Sequence, residues 1–452
     1  MSLEGATHRK IEQIELPLEF KSGSGEAPTA TSVIARLGTD RLMEEAVGYA
    51  NVEMALKQVR RNKGSSGVDG MTVDELPQHV AENWEVLRTQ LLAGAYQPKP
   101  VKRQEIDKEG GGVRILGIPC ALDRFIQQCI LQVLQPRFDP TFSEHSHGFR
   151  PGRGAHQAVG AARRYVQEGR RWVVDVDLEQ FFDRVNHDVL MGRLAKRITD
   201  KRLLRLIRRY LEAGMMADGI VAEREEGTPQ GGPLSPLLAN VLLDEVDKEL
   251  EKRGHTFARY ADDCNVYVRS RRAAERVMEA LKSLYAGLRL KVNESKSAVA
   301  RVWGRKFLGY SFWVAKGGEV KMRVAPRALM KMKYRVRKIT SRSGGKSLKM
   351  VIRELRSYLP GWKEYFRLVD APTQFRALDG WIRRRLIAVQ LKHWKREKTA
   401  CRNLRARGVP GNIAVRAARR VRSWWWLAQD KGVHMAFPTR YFDLMGVPRL
   451  AA

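Results

Sequence analysis

Two stretches of this chain place acids where strand-forming sequence leaves little room for them. The first is Trp172-Val-Val-Asp175-Val-Asp177-Leu178. A strand turns successive side chains to opposite faces, so Asp175 and Asp177 share one face and Val174 and Val176 the other. The second, Phe257 to Val268, reads as strand, tight turn and strand, with Asp262 and Asp263 adjacent at the turn. Acids are poor strand formers and costly to bury unpaired, and a bound cation removes that cost. Each stretch alone has a plain reading, either solvated carboxylates at a strand end or an Asp bonded to turn backbone. Together, two strands can bring three carboxylates to one point. Clustered oxygen donors suit a hard cation such as Mg²⁺. Two such ions roughly 3.5–4 Å apart stabilise the attacking and leaving oxygens of an in-line phosphoryl displacement.

The surrounding pattern is mixed but not alternating. Helical segments are expected at about Asp40–Arg61, Thr72–Ala93, Leu122–Gln135 (ended by Pro136), His187–Ala213, Pro236–Arg253 and Arg271–Gly287. Val101–Ile106 and Val113–Ile118 read as a hairpin around Asp107–Gly112, and Lys306–Val314 with Glu319–Val324 as a second. From Pro326 onward the pattern is helical and basic. This order predicts an α+β fold with a largely antiparallel sheet followed by an all-α domain, not a doubly wound α/β fold. Residues 1–39, with the linker-like Lys21–Ser32, read as a flexible extension, and 431–452 as a tail.

Charge narrows the partners. Lys and Arg number 82 against 50 acids, a net +32. Between Lys321 and Arg422 stand 30 Lys/Arg and 5 Asp/Glu, so +25 of that excess lies in one segment, interleaved with Trp362, Tyr365, Phe366, Trp381 and Trp394. Bases among aromatics point to a nucleic-acid surface. The 4 cysteines are scattered without a C-x-x-C pair, so neither a zinc site nor a disulfide framework is expected. His145, His147 and His156 lack metal-site spacing. Ser343-Gly-Gly-Lys346-Ser347 lacks the earlier glycine of a P-loop, with Thr340 in its place. No apolar run approaches membrane length and no leader pattern opens the chain, so a cytoplasmic protein is expected.

Tyr260-Ala-Asp262-Asp263 resembles the Y-A-D-D box of reverse transcriptases, and Asp177-Leu-Glu-Gln-Phe181-Phe182-Asp183 their first carboxylate motif. Gly227-Thr-Pro-Gln230-Gly-Gly-Pro-Leu-Ser-Pro-Leu-Leu-Ala-Asn240 is similar to the box between them in group II intron reverse transcriptases. Ser66–Gly70, Arg114–Pro119, Gly148–Gly152 and Phe307–Tyr310 are similar to further motifs of that family, and Tyr358–Phe366 resembles the signature of its thumb, or maturase, domain. The likeness runs from about Asp40 to Trp426 in the family's order.

That resemblance implies an RNA-directed DNA polymerase with a right-hand fold: fingers and palm over 40–325 and a basic helical thumb over 326–430. It implies that Asp177, Asp262 and Asp263 hold two Mg²⁺ ions, with Mn²⁺ as a substitute. Lys108 and Arg114 would grip the triphosphate of an incoming dNTP, Gln230 would touch it, and Phe182 would exclude a 2′-OH. Ile106-Asp107-Lys108 departs from the family's usual Ile-Pro-Lys, and Cys264 stands where a bulky apolar residue is usual. Gly309, Lys296 and Arg150 would meet the primer or template. Expected partners are an RNA template, a DNA or RNA primer and a structured intron RNA. No Cys/His-rich block follows the thumb, so DNA cleavage is not expected. Two other roles stay open: an RNA-splicing cofactor alone, or a domesticated enzyme of phage defence, CRISPR adaptation or DNA repair.

Overall fold

The computed structural model describes residues 40–107, 113–217, 220–222, 226–228 and 231–451. The expected N-terminal extension lies outside them. Strands are numbered along the chain: β1 (Val101–Asp107), β2 (Val113–Ile118), β3 (Trp172–Val176), β4 (Met215–Ala217), β5 (Ile220–Ala222), β6 (Thr256–Tyr260), β7 (Asp263–Val268), β8 (Ala298–Arg301), β9 (Tyr310–Val314) and β10 (Val320–Val324). They form three sheets of order β2-β1-β4-β5, β6-β7-β3-β8 and β10-β9. The fold is α+β, with strands early and helices filling the chain after Pro326.

The central sheet β6-β7-β3-β8 is antiparallel throughout. Its two faces serve different cores. Val174, Val176, Cys264 and Val266 enter one cluster with the helices Ala121–Phe138, Ser235–Lys252 and Arg271–Gly287. Val173, Ala258 and Tyr267 enter a second cluster with the helix Ala155–Gln167, β9 and β10, and the basic helices. The second core runs without a break into Val433, Phe437, Phe442 and Leu450. Backbone amides of Leu450 and Ala451 donate to Asp379, so residues beyond 430 pack as part of the helical domain.

The helical domain meets the sheet domain at several points: the Met322 and Val324 amides donate to Asp370 and Gln374, and a second contact lies at Tyr365 and Phe366. Tyr365 donates its hydroxyl to the Leu308 carbonyl (2.9 Å), and its own carbonyl accepts from the Tyr310 hydroxyl and meets His156 Nε2 (2.8 Å). Phe366 lies beneath Gly309, 5.2 Å from the Tyr310 ring.

Several elements differ from expectation for identifiable reasons. The first helix breaks into Leu42–Ala46 and Tyr49–Asn62, with extended Gly48 capping the second piece. Pro136 does not end its helix, which runs to Phe138 because that buried ring anchors the last turn. The β4–β5 ribbon and β8 were not legible as strands. Each is only three or four residues long and takes its pairing from β1 or β3.

Candidate active site

The register of the central sheet assembles the acids. Asp175 stands opposite Asn265 and Val176 opposite Cys264. One residue further, Asp177 leaves β3 beside Asp263, the first residue of β7. Tyr260 pairs with Asp263 across a two-residue turn made of Ala261 and Asp262. Alternation then sets Asp175, Asp177 and Asp263 on one face, with Asp262 at the end of the turn. Ala261 has φ 58°, a left-handed conformation that costs a residue with a Cβ roughly 1–2 kcal/mol. Such strain persists only where surrounding structure enforces it.

The acids act on one another electrostatically. Burial pushes the Asp263 carboxyl up to about 7, and the charges of Asp175 and Asp262, with a smaller part from Asp177, add to the rise. Burial also raises Asp175, against the opposing pull of Arg305, whose Nε lies 2.7 Å from its carboxylate. Lys296 Nζ lies 3.5 Å from Asp177 Oδ1. Among the described residues, no three Asp, Glu, His or Cys side chains converge as a formed metal cage. Arg305 and Lys296 each place a cation beside one of these acids. The donor set itself is all carboxylate, which fits a hard divalent cation and not a soft one.

A pH dependence follows. A raised carboxyl pKa means that the folded chain binds a proton which the unfolded chain has lost, in the window between about 4 and about 7. Stability of the metal-free protein therefore falls as pH rises through that window, and the full penalty is present above it. Thermal scans should show a lower melting temperature at pH 8 than at pH 5.5 without divalent ions, and a larger upward shift on adding Mg²⁺ at pH 8. An Mg²⁺ shift independent of pH would contradict this.

The remaining expected residues are distributed as follows. The Asp177 amide donates to Ser297 Oγ (3.0 Å) and its carbonyl accepts from the Asn293 amide (2.8 Å), so the acid is moored to a second segment. Phe182 lies in the 3₁₀ turn Phe181–Asp183, five residues beyond, with its ring half-buried beside Phe181. Its carbonyl accepts from the Thr228 amide, and the Gly227 amide donates to the Val185 carbonyl (2.7 Å), which ties Gly227 and Thr228 to the segment just after the first carboxylate. Lys108 and Gln230 lie outside the described residues. Arg114 is set on β2 by its pairing with Ile106, its side chain being outside the description.

Arg150 departs from its expected contact with nucleic acid. Its Nε donates to Asp139 Oδ1 (2.8 Å), Nη1 to the Ser143 and Ser146 carbonyls, and Nη2 to the Asp139 carbonyl and Oδ2. A guanidinium has five N–H donors, and these bonds use all of them. Arg150 therefore braces its own loop. Gly309 has φ 82°, a conformation that favours glycine, and a Cβ there would crowd the Phe366 ring at 3.3 Å. Cys264 is fully buried, and burial raises its thiol pKa, consistent with a small apolar side chain. Lys346 pairs with Glu354 (2.6 Å). Trp424 lies near both Arg342 and Lys392, and Trp425 lies under Arg384, while Trp426 is 68% exposed.

Comparison with known proteins bears on this arrangement. Residues 106–312 match the family model for reverse transcriptase (RNA-dependent DNA polymerase), and residues 329–408 match the group II intron maturase-specific domain. Protein YkfC of Escherichia coli K12 is 32% identical over 284 residues, covering 54% of this chain and 74% of YkfC. The chain belongs to the group II intron reverse transcriptase and maturase family. Another member, the group II intron-encoded protein LtrA of Lactococcus lactis subsp. cremoris, is 37% identical over 196 residues, which is 43% of this chain and only 32% of LtrA. A solved Cas6-RT-Cas1–Cas2 complex shows 26% identity over 55% of this chain and 42% of that one, but its TM-score of 0.36 is too low to bear on function. The family is one of metal-dependent RNA-directed DNA polymerases, and the two matched domains imply binding of template and intron RNA. Among the described residues no helix is long and apolar enough to cross a membrane.

Sequence reasoning missed Arg305 and the buried group around Arg259. A signal for the latter existed: Arg259 is the one cation within an otherwise apolar and acidic strand–turn–strand, and a buried charge needs a partner.

Proposed function

We propose that the chain extends a primer along an RNA template, joining the primer 3′-oxygen to the α-phosphate of a dNTP with loss of pyrophosphate. The observation that carries this reading is the strand register that sets Asp177 beside Asp263 with Asp262 in the adjoining turn. Asp177 and Asp262, supported by Asp263, would hold two Mg²⁺ ions or Mn²⁺ in their place. Bound there, the ions supply positive charge to the attacking and leaving oxygens.

The chain's own residues do the rest by positioning. Arg114 and Lys108, on the hairpin of β1 and β2, would hold the triphosphate through charge-assisted bonds. Gln230 would contact the nucleotide. Lys296, already beside Asp177, would turn toward a primer or template phosphate once a metal neutralises that acid. Fingers and palm would span 40–325, with the thumb from 326. The experiment is RNA-templated extension of a labelled primer by the full chain, with and without a chelator. Absence of metal-dependent product with folded protein would sink the reading.

Phe182 would pack against the incoming sugar. Phe182→Ala is expected to raise ribonucleotide incorporation relative to dNTP on the order of 10–100-fold, the scale of steric discrimination in a pocket. Single-nucleotide incorporation kinetics with matched dNTP and rNTP check this; an unchanged ratio would return Phe182 to the core.

A second activity has its own support. The match of residues 329–408 to the maturase-specific domain, on the most basic part of the chain, favours a role in holding folded intron RNA.

A further inference from the structure

We propose that Arg259 is a positioning residue that fixes the catalytic turn from behind the sheet, an inference that rests on the polymerase reading above. Arg259 pairs with Cys264, so its side chain lies on the face opposite the acids. It is 1% exposed, and its partners Asp247 and Asn240 are 0% and 1% exposed. Its guanidinium joins two elements, the helix Ser235–Lys252 and the catalytic turn. Nε and Nη2 donate to the Asp247 carboxylate at 2.8 and 2.5 Å. Nη1 donates to Asn240 Oδ1 and to the carbonyl of Ala261, both at 2.9 Å. That carbonyl belongs to the peptide linking the left-handed Ala261 to Asp262.

The same residue organises the loop before the helix Ala155–Gln167. The Arg259 amide donates to the His145 carbonyl and its carbonyl accepts from the His147 amide, both at 2.9 Å. Asn240 Nδ2 donates to the Gly148 carbonyl at 2.9 Å. Gly148 in turn lies against the turn backbone, because a Cβ there would sit 2.9 Å from the Tyr260 carbonyl carbon. The Tyr260-Ala261-Asp262 backbone is thus held by a hydrogen bond from Arg259 and by the close backbone approach of Gly148. Neither grip touches the carboxylates.

Stability alone is a poor explanation for such a pair. Burying an ion pair often costs as much as its attraction returns. What a planar guanidinium adds is geometry: one rigid fork joins Asp247 to the turn, which a lysine with its single nitrogen cannot reproduce. Placement of Asp262 is what that geometry controls.

The test compares Arg259→Lys and Asn240→Ala with the wild-type chain. Single-turnover extension of an RNA-templated primer is measured against Mg²⁺ concentration. Mn²⁺ binding without substrate is followed by electron paramagnetic resonance, primer–template affinity by titration, and folding by thermal melting. Rates are expected to fall about 10–100-fold, the effect of a small misplacement. The Mg²⁺ requirement should rise and Mn²⁺ binding weaken, with primer–template affinity unchanged. Should Arg259→Lys fail to fold, Asn240→Ala decides, because it leaves the Arg259–Asp247 pair in place. Folded variants with wild-type Mg²⁺ response and Mn²⁺ binding, whether or not they are slower, overturn the proposal. Loss of the polymerase reading is recognised separately, by a wild-type chain that binds Mn²⁺ but makes no product. In that case the Mn²⁺ titration still decides whether Arg259 positions the turn.

Discussion

Asp262→Ala is expected to reduce RNA-templated primer extension by at least about 10³-fold while leaving the fold intact. A catalytic metal contributes several kcal/mol of charge stabilisation in the transition state, and roughly 4 kcal/mol is a thousandfold in rate. Removing one carboxylate from a turn residue costs little in packing, since Asp262 sits at the end of the sheet and not in either core. It also relieves Asp263 of one of the charges that raise its pKa. The same variant separates the two activities. A role in holding intron RNA runs through the basic helices and needs no metal carboxylate, so intron splicing should persist when extension is lost. Splicing lost in parallel, with the melting temperature unchanged, would show that the activities share one site.

The second large effect is expected at Gly148, where an Ala substitution should cost about 1–3 kcal/mol of stability and roughly 10²-fold in extension rate. The added Cβ would sit 2.9 Å from the Tyr260 carbonyl carbon and closer still to the Ala261 nitrogen. Both are backbone atoms of the turn that carries Asp262, and neither can swing aside as a flexible side chain does. Strain relieved by moving the turn appears as lost activity, and strain retained appears as lost stability. Thermal melting and single-turnover extension measure the two shares. Wild-type values for both would mean that the loop holding Gly148 yields freely.

The acids and most of the sheet were legible because each depends on local sequence. Period-two alternation in Val174-Asp175-Val176-Asp177 set the faces, and the β-prone runs flanking Asp262-Asp263 set the hairpin. What escaped depends on contacts between distant segments. β8 is an isolated four-residue stretch until β3 pairs with it. Arg150 was expected at the primer or template because Gly148–Gly152 resembles a family motif, and only the fold turns the Asp139, Ser143 and Ser146 acceptors inward on it. Arg305 and Asp175 are 130 residues apart, so no local pattern could pair them. The Lys108 and Gln230 contacts rest on resemblance alone.

The contact of Tyr365 and Phe366 with Leu308, Gly309 and Tyr310 has a mechanical consequence. The apolar part of the acid-bearing face, Val173, Ala258 and Tyr267, is covered by the same core that holds the basic helices, so the two halves share one interior. Severing the gene near codon 325 would yield a front half whose greasy floor is open to water, prone to clump before it could ever copy a strand.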